Sequence, residues 1–162
     1  MEPWLGNMPN TYDQDFGDAL NLLETALSQW GEAERIGTES NPRILEYLRA
    51  AGLRELADET PWCGAFITWC AARCGITPPP LPAVARSWLS VGQPATDPKL
   101  GDIVVLKRGQ QWQGHVGLFI RRQLNEVLVL GGNQSDRVGL GSYPFESIIG
   151  FRRITSAVEV RK

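Results

Sequence analysis

Apolar residues recur at helical spacing through the first half of this 162-residue chain and at alternating spacing through the second. Phe16, Leu20, Leu23 and Leu27 fall near one helical face, which predicts a helix over about 13–29. Further helices are predicted near 41–51 and 61–74, the last stopped by Gly75 and the Thr77-Pro78-Pro79-Pro80 stretch. Ala83 to Leu89 reads as another short helix. Strands are predicted near 102–107, 115–121, 127–133 and 148–154. Helices followed by strands indicate an α+β domain, with N-terminal helices packed on a small antiparallel β-sheet. The proline-rich stretch at 77–82 reads as a stiff loop, so residues 1–162 are expected to form one domain, with 1–29 as a helical extension packed on it.

The two central strands predict a specific register. Arg122 to Glu126 is a polar five-residue connection suited to an antiparallel hairpin. A hairpin symmetric about Leu124 sets Leu118 opposite Leu130 and Ile120 opposite Leu128, giving an apolar face for a core. On the other face His115 stands opposite Asn133 and Gly117 opposite Gly131. Directly opposed side chains are close enough to hydrogen bond, and two facing glycines leave a gap into which another backbone can come. A shift of one residue moves Asn133 away from His115.

Length and apolar content suit one domain of ordinary size. No apolar run approaches the roughly 20 residues that span a bilayer, and the acidic N-terminus lacks the pattern of a signal peptide. Membrane insertion is not expected, and synthesis in the host cytoplasm is. Twelve acidic residues against four basic ones lie in 1–60, with twelve basic against six acidic in the remainder. The basic part includes Arg121, Arg122, Arg152, Arg153, Arg161 and Lys162. It either meets an anionic envelope polymer or balances the acidic part within the fold, and the second reading is the simpler. No basic-aromatic module of a nucleic-acid binder is present. Cys70 and Cys74 follow Cys63 at offsets of seven and eleven on one helical side, which suits core packing in a reduced chain. With a single histidine, no metal site is expected, and no cofactor.

That histidine, His115, changes the reading of Cys63. Thr60 and Pro61 suit the cap and first position of a helix, which places Cys63 in its first turn. Free N–H groups and the helix dipole favour a thiolate there. Taken alone, Cys63 is equally a small core residue. A helix-start thiol, a strand-start imidazole and a strand-end amide, in that chain order, form a nucleophile, a general base and a group that orients the base. Asn133 ranks first for the third role, with Gln134 and Asp136 as rivals and Asp102 read as structural. Trp62, beside the thiol, and Trp112, in the loop before His115, are candidate substrate-binding rings, although Trp62 is as well suited to packing beneath the site.

The runs Asp58-Glu59-Thr60-Pro61-Trp62-Cys63, Ala85-Arg86-Ser87-Trp88-Leu89, Gly101-Asp102-Ile103-Val104-Val105, Gly114-His115-Val116-Gly117 and Gly131-Gly132-Asn133-Gln134-Ser135 resemble the cysteine peptidoglycan hydrolases of the NlpC and CHAP superfamily. The likeness is strongest to a small CHAP-like group often carried by phages, and with Ile36 to Ile44 it covers about residues 30–154. It implies a papain-like fold and hydrolysis of amide bonds in bacterial peptidoglycan, with Cys63 as nucleophile, His115 as base and Asn133 as third residue. A lysin of this kind acts in the periplasm or cell wall after delivery by a holin, a virion tail or secretion machinery, and an immunity protein is a candidate partner. The alternatives are a catalytically silent virion or wall-binding module, and a papain-like acyltransferase or deamidase.

Overall fold

The computed structural model describes residues 11–54, 57–58 and 60–154, with side chains from residue 18 onward. The side chain of Phe16 and all of Arg161 and Lys162 lie outside that set. Helix α1 spans Thr11–Leu27 and buries Ala19, Leu22, Leu23 and Ala26. Helix α2, Pro42–Ala50, starts where Asn41 accepts a hydrogen bond from the Arg43 N–H and Pro42 takes an opening position that needs no donor. Helix α3 runs from Cys63 to Arg73 and is buried over its first nine residues. Its start differs from the sequence expectation: Trp62, not Thr60, occupies the cap position, and no side chain caps it. The first-turn N–H groups around Cys63 are therefore left for the site. The short helix expected at 83–89 is a 3₁₀ helix at Ala85–Ser90.

Among the described residues six strands form one antiparallel sheet in the order β1-β6-β2-β3-β4-β5. Strands β2 (Ile103–Lys107), β3 (Gly114–Gln123), β4 (Glu126–Gln134) and β6 (Ile148–Arg153) match the expected segments. Strand β1 is only Gln93–Pro94. Strand β5, Arg137–Pro144, was not expected, because Gly139, Gly141 and Pro144 break its apolar alternation. It forms through pairing with β4, which no local signal announces.

The β3–β4 hairpin keeps the expected register where Leu118 faces Leu130 and Phe119 faces Val129. Beyond Phe119 the strand bulges at Ile120, and Arg121 faces Leu128, so the expected Ile120–Leu128 pair does not form. The connection is also shorter than five residues. Pairing continues to Gln123 and Glu126, leaving Leu124 and Asn125 as the turn, with Leu124 at φ 51°.

Alternate residues of β2 divide between two apolar clusters. Ile103 and Val105 join Val116, Leu118, Leu130 and the helices, whereas Val104 and Leu106 join Phe119, Val127, Val129 and Phe151 on the opposite face. Cys70 lies in the first cluster, and the partly buried Cys74 packs against it. Arg153 pairs with the buried Asp102 at 2.8 Å, and Arg152 donates to the carbonyls of Val91 and Gly92. These two arginines serve the fold, as does Asp102.

The seam between α3 and the sheet depends on a missing side chain. A Cβ at Gly132 would lie 2.7 Å from the Phe66 Cβ and 2.8 Å from the Trp62 ring. Glycine there lets the start of α3 sit directly on β4. Trp62 is fully buried, stacked 5.8 Å from the Tyr47 ring, and its indole N–H donates to Glu34 at 2.8 Å. We expect Gly132→Ala to cost about 1–3 kcal/mol by overpacking, read as a lower urea midpoint. Gly139→Ala, whose Cβ would meet nothing nearer than 3.7 Å, is the control.

Candidate active site

Cys63 opens α3 and is 7% exposed, on the wall of a cavity of about 810 Å³. Burial raises its thiol pKa, since a thiolate loses solvation there. The backbone N–H groups of Val116, Gly64 and Cys63 itself act in the other direction, as does the Arg108 charge. The contact with Val116 sets the sulfur against the start of β3, one residue beyond His115. Gly64 is required for the other wall of the cavity. A Cβ there would lie 2.7 Å from the carbonyl oxygens of Pro82 and Ala83, so the 82–85 segment can close on the helix only over a glycine.

His115 is 1% exposed and its protonation is legible from its neighbours. The side-chain nitrogen of Gln134 donates to the carbonyls of Val129, at 3.0 Å, and Gly139, at 2.5 Å. Those two acceptors fix the orientation of the amide. Its oxygen then faces Nε2 of His115 at 2.9 Å and the Tyr143 hydroxyl at 3.0 Å, and both must donate to it. Nε2 therefore carries the proton and Nδ1 keeps a lone pair. Independently, Nδ1 lies 3.4 Å from Nη1 of Arg108, which has only protons to offer. The imidazole is a neutral base, with Nδ1 free to accept. Burial first, and then the Arg108 charge, lower its pKa to about 4, against the opposing effect of the hydrogen bond it donates to Gln134.

The amide that meets the imidazole is thus that of Gln134, not Asn133, and the reason is one extra residue in β4. Gly131 faces Gly139 on β5, but Gln134 faces Arg137, so β4 spends one more residue than its partner over this interval. Asn133 takes up the difference at φ 56°, in the left-handed region. Such a bulge inverts the side-chain alternation beyond it, and Gln134 acquires the face that Asn133 would have had. Ser135 and Asp136 follow at φ 54° and 60°, as the two central residues of the β4–β5 turn. Asn133 lines the cavity instead. Gly131 supplies the room, since a Cβ there would press within 3.0 Å of the Gln134 oxygen.

Tyr143 was missed by the sequence reading because its strand was missed. Its ring lies 5.4 Å from the imidazole, and Gly141 leaves space for its hydroxyl. The two tryptophans separate. Trp62 is packed beneath the site and cannot touch a substrate, whereas Trp112 is 72% exposed and lines the cavity. Among the described residues no group of histidine, cysteine and carboxylate side chains could hold a metal, and no helix is long and apolar enough to cross a membrane.

A thiol at a helix start is thus set against a strand that presents an amide-held imidazole. Residues 56–133 match the family model of the CHAP domain. Among solved structures, the chain is similar to an NLP/P60-family protein, described as similar to lipoprotein, from Staphylococcus aureus subsp. aureus Mu50 (19% identity over 85% of this chain and 42% of that one, TM-score 0.52). It is also similar to the P60 domain of an antigen from M. avium paratuberculosis (16% identity, 88% and 97% covered, TM-score 0.53). A third is a hypothetical invasion protein of Mycobacterium tuberculosis (15% identity, 92% and 66% covered, TM-score 0.56). At these identities the likeness is one of fold, and this chain spans less than half of the staphylococcal chain. No curated protein matches the sequence. Residues 56–133 are thus similar to a CHAP domain, and the α+β layout of the chain is similar to that of the NLP/P60 and P60-domain structures.

The buried imidazole makes stability depend on pH. Unfolded, His115 takes a proton as pH falls through about 6.5; folded, only near 4. Its contribution is complete above pH 6.5 and is lost as pH falls toward 4. Between pH 7 and 5 we expect a loss on the order of 2 kcal/mol from this group, measured by urea unfolding. His115→Gln should remove that share of the slope, and an unchanged slope would place the titration elsewhere.

Proposed function

We propose that the protein hydrolyses an amide bond of bacterial peptidoglycan, with Cys63 as nucleophile, His115 as base and Gln134 as the residue that positions the base. The observation that carries this reading is the fixed Gln134 amide, which commits His115 to a tautomer whose basic nitrogen, Nδ1, is left to receive a thiol proton. The CHAP match and the NlpC/P60-type fold support the wall as the substrate class.

Burial disfavours both charges at rest, so the resting pair is a thiol beside a neutral imidazole. Nδ1 takes the proton as the sulfur attacks the peptide carbonyl. N–H groups of the first turn of α3, including that of Cys63, hold the oxyanion in this reading, which the absence of a side-chain cap there supports. The protonated imidazole gives its proton to the departing amine, leaving a thioester. Water, deprotonated by the same nitrogen, then releases the acid and restores the thiol. Gln134 and Tyr143 hold the ring in place throughout and exchange no proton with substrate. Delivery by a holin, a virion tail or a secretion machine belongs to the same proposal.

Cys63→Ala should reduce release of fragments from purified peptidoglycan to background while the protein still binds the wall. Gln134→Ala should lower kcat roughly ten- to a hundred-fold with little change in KM, and Asn133→Ala should do much less. Mass spectrometry of the fragments identifies the bond cut. Wall binding without cleavage by the unaltered protein would favour the silent binding module instead.

A further inference from the structure

Arg108 is the only basic side chain among the described residues that line the cavity. Its Nη1 lies 3.4 Å from Nδ1 of His115, and its charge acts on Cys63 as well. Other arginines around the sheet have been given partners: Arg86 donates to the Gln113 carbonyl at 2.7 Å, and Arg153 to Asp102 at 2.8 Å. No carboxylate among the described residues makes a salt bridge to Arg108. A guanidinium has five donors in a planar fork that matches a carboxylate. Here one of them makes a long contact to an imidazole.

That contact is compatible only with the resting state. Once Nδ1 has taken the thiol proton it becomes a donor on a cation, facing a second cation 3.4 Å away. An anion brought to Arg108 by the substrate would relieve that opposition during the step in which His115 is charged. Glu34 and Asp136 line the same cavity, so a polyanion would be repelled while a single localised carboxylate would not.

We propose that Arg108 receives a carboxylate carried by the substrate next to the scissile amide, and so determines which peptides are cut. This rests on Cys63 and His115 as the reacting pair, though not on peptidoglycan as the substrate. A carboxylate at that distance draws the guanidinium off Nδ1 and leaves the base free for the thiol. Substrates in which the same group is a carboxamide lose both effects.

Alkylation of Cys63 separates this inference from the proposed function. The sulfur displaces iodide from iodoacetate or from iodoacetamide, reagents of nearly equal size that differ in the carboxylate. Peptide mass spectrometry reads Cys63 apart from Cys70 and Cys74. We expect the iodoacetate-to-iodoacetamide rate ratio at Cys63 to fall by about five-fold or more in Arg108→Gln, to fall less in Arg108→Lys, and to decline with added salt in the unaltered protein. An unchanged ratio in Arg108→Gln overturns the proposal. In the second arm, wall fragments with a free carboxylate beside the cleaved bond should be preferred over amidated ones, and Arg108→Gln should abolish that preference. A charge-dependent alkylation ratio without any wall hydrolysis would uphold the anion site and reject peptidoglycan as the substrate; hydrolysis indifferent to the carboxylate would do the reverse.

Discussion

One carboxamide holds the candidate site together. Both ends of the Gln134 side chain are committed, its nitrogen to two backbone carbonyls and its oxygen to two donors, and the residue is 5% exposed. Inside a protein an amide in that position has no competing water, so reversing it would strand four groups at once. Because it cannot turn, the imidazole cannot exchange its proton between nitrogens. The chemistry of Nδ1 is therefore settled by backbone atoms of β4 and β5, at some distance from the thiol.

The cost of that arrangement is concentrated in four residues. Three non-glycine departures into the left-handed region, at Asn133, Ser135 and Asp136, flank the one residue that points inward. Backbone strain of this sort persists where neighbouring pairing overdetermines it. Here the pairing is continuous: β5 runs along β4, and the segment at 31–34 meets the far edge of β5 through the Ala33–Arg137 bridge and the bonds between Glu32 and Val138 and between Glu34 and Asp136. Asp58 accepts from the Arg35 and Asn41 N–H groups and ties that segment to the approach of α3. The residues before Cys63 are thus largely scaffold. Trp62 packs, Asp58 stitches a loop, and Pro61 and Cys63 line the cavity.

Glycines do for the backbone what Gln134 does for the imidazole. Gly132 lets α3 approach the sheet, Gly64 lets the 82–85 wall approach α3, and Gly131 leaves space for the amide. At Gly64 a Cβ is excluded by backbone and at Gly132 by buried side chains, and at Gly131 it would press on the Gln134 amide, so the cavity is shaped by close approaches that glycine permits.

The amino-acid sequence by itself determined the order of helices and strands, the helix-start position of Cys63, and the alternation that sets His115 on the face opposite Leu118 and Leu130. These follow from periodicities and breakers that act within a few residues. The tertiary structure decided which amide meets the imidazole. A single-residue bulge in β4 exists only because β5 pairs beside it, and β5 carries too many glycines to signal itself. The same bulge exchanged Asn133 for Gln134, and the same unexpected strand brought Tyr143 to the ring. The burial of Trp62 was likewise decided by Gly132, seventy residues away in sequence, because contact between a helix and a strand depends on what both surfaces lack.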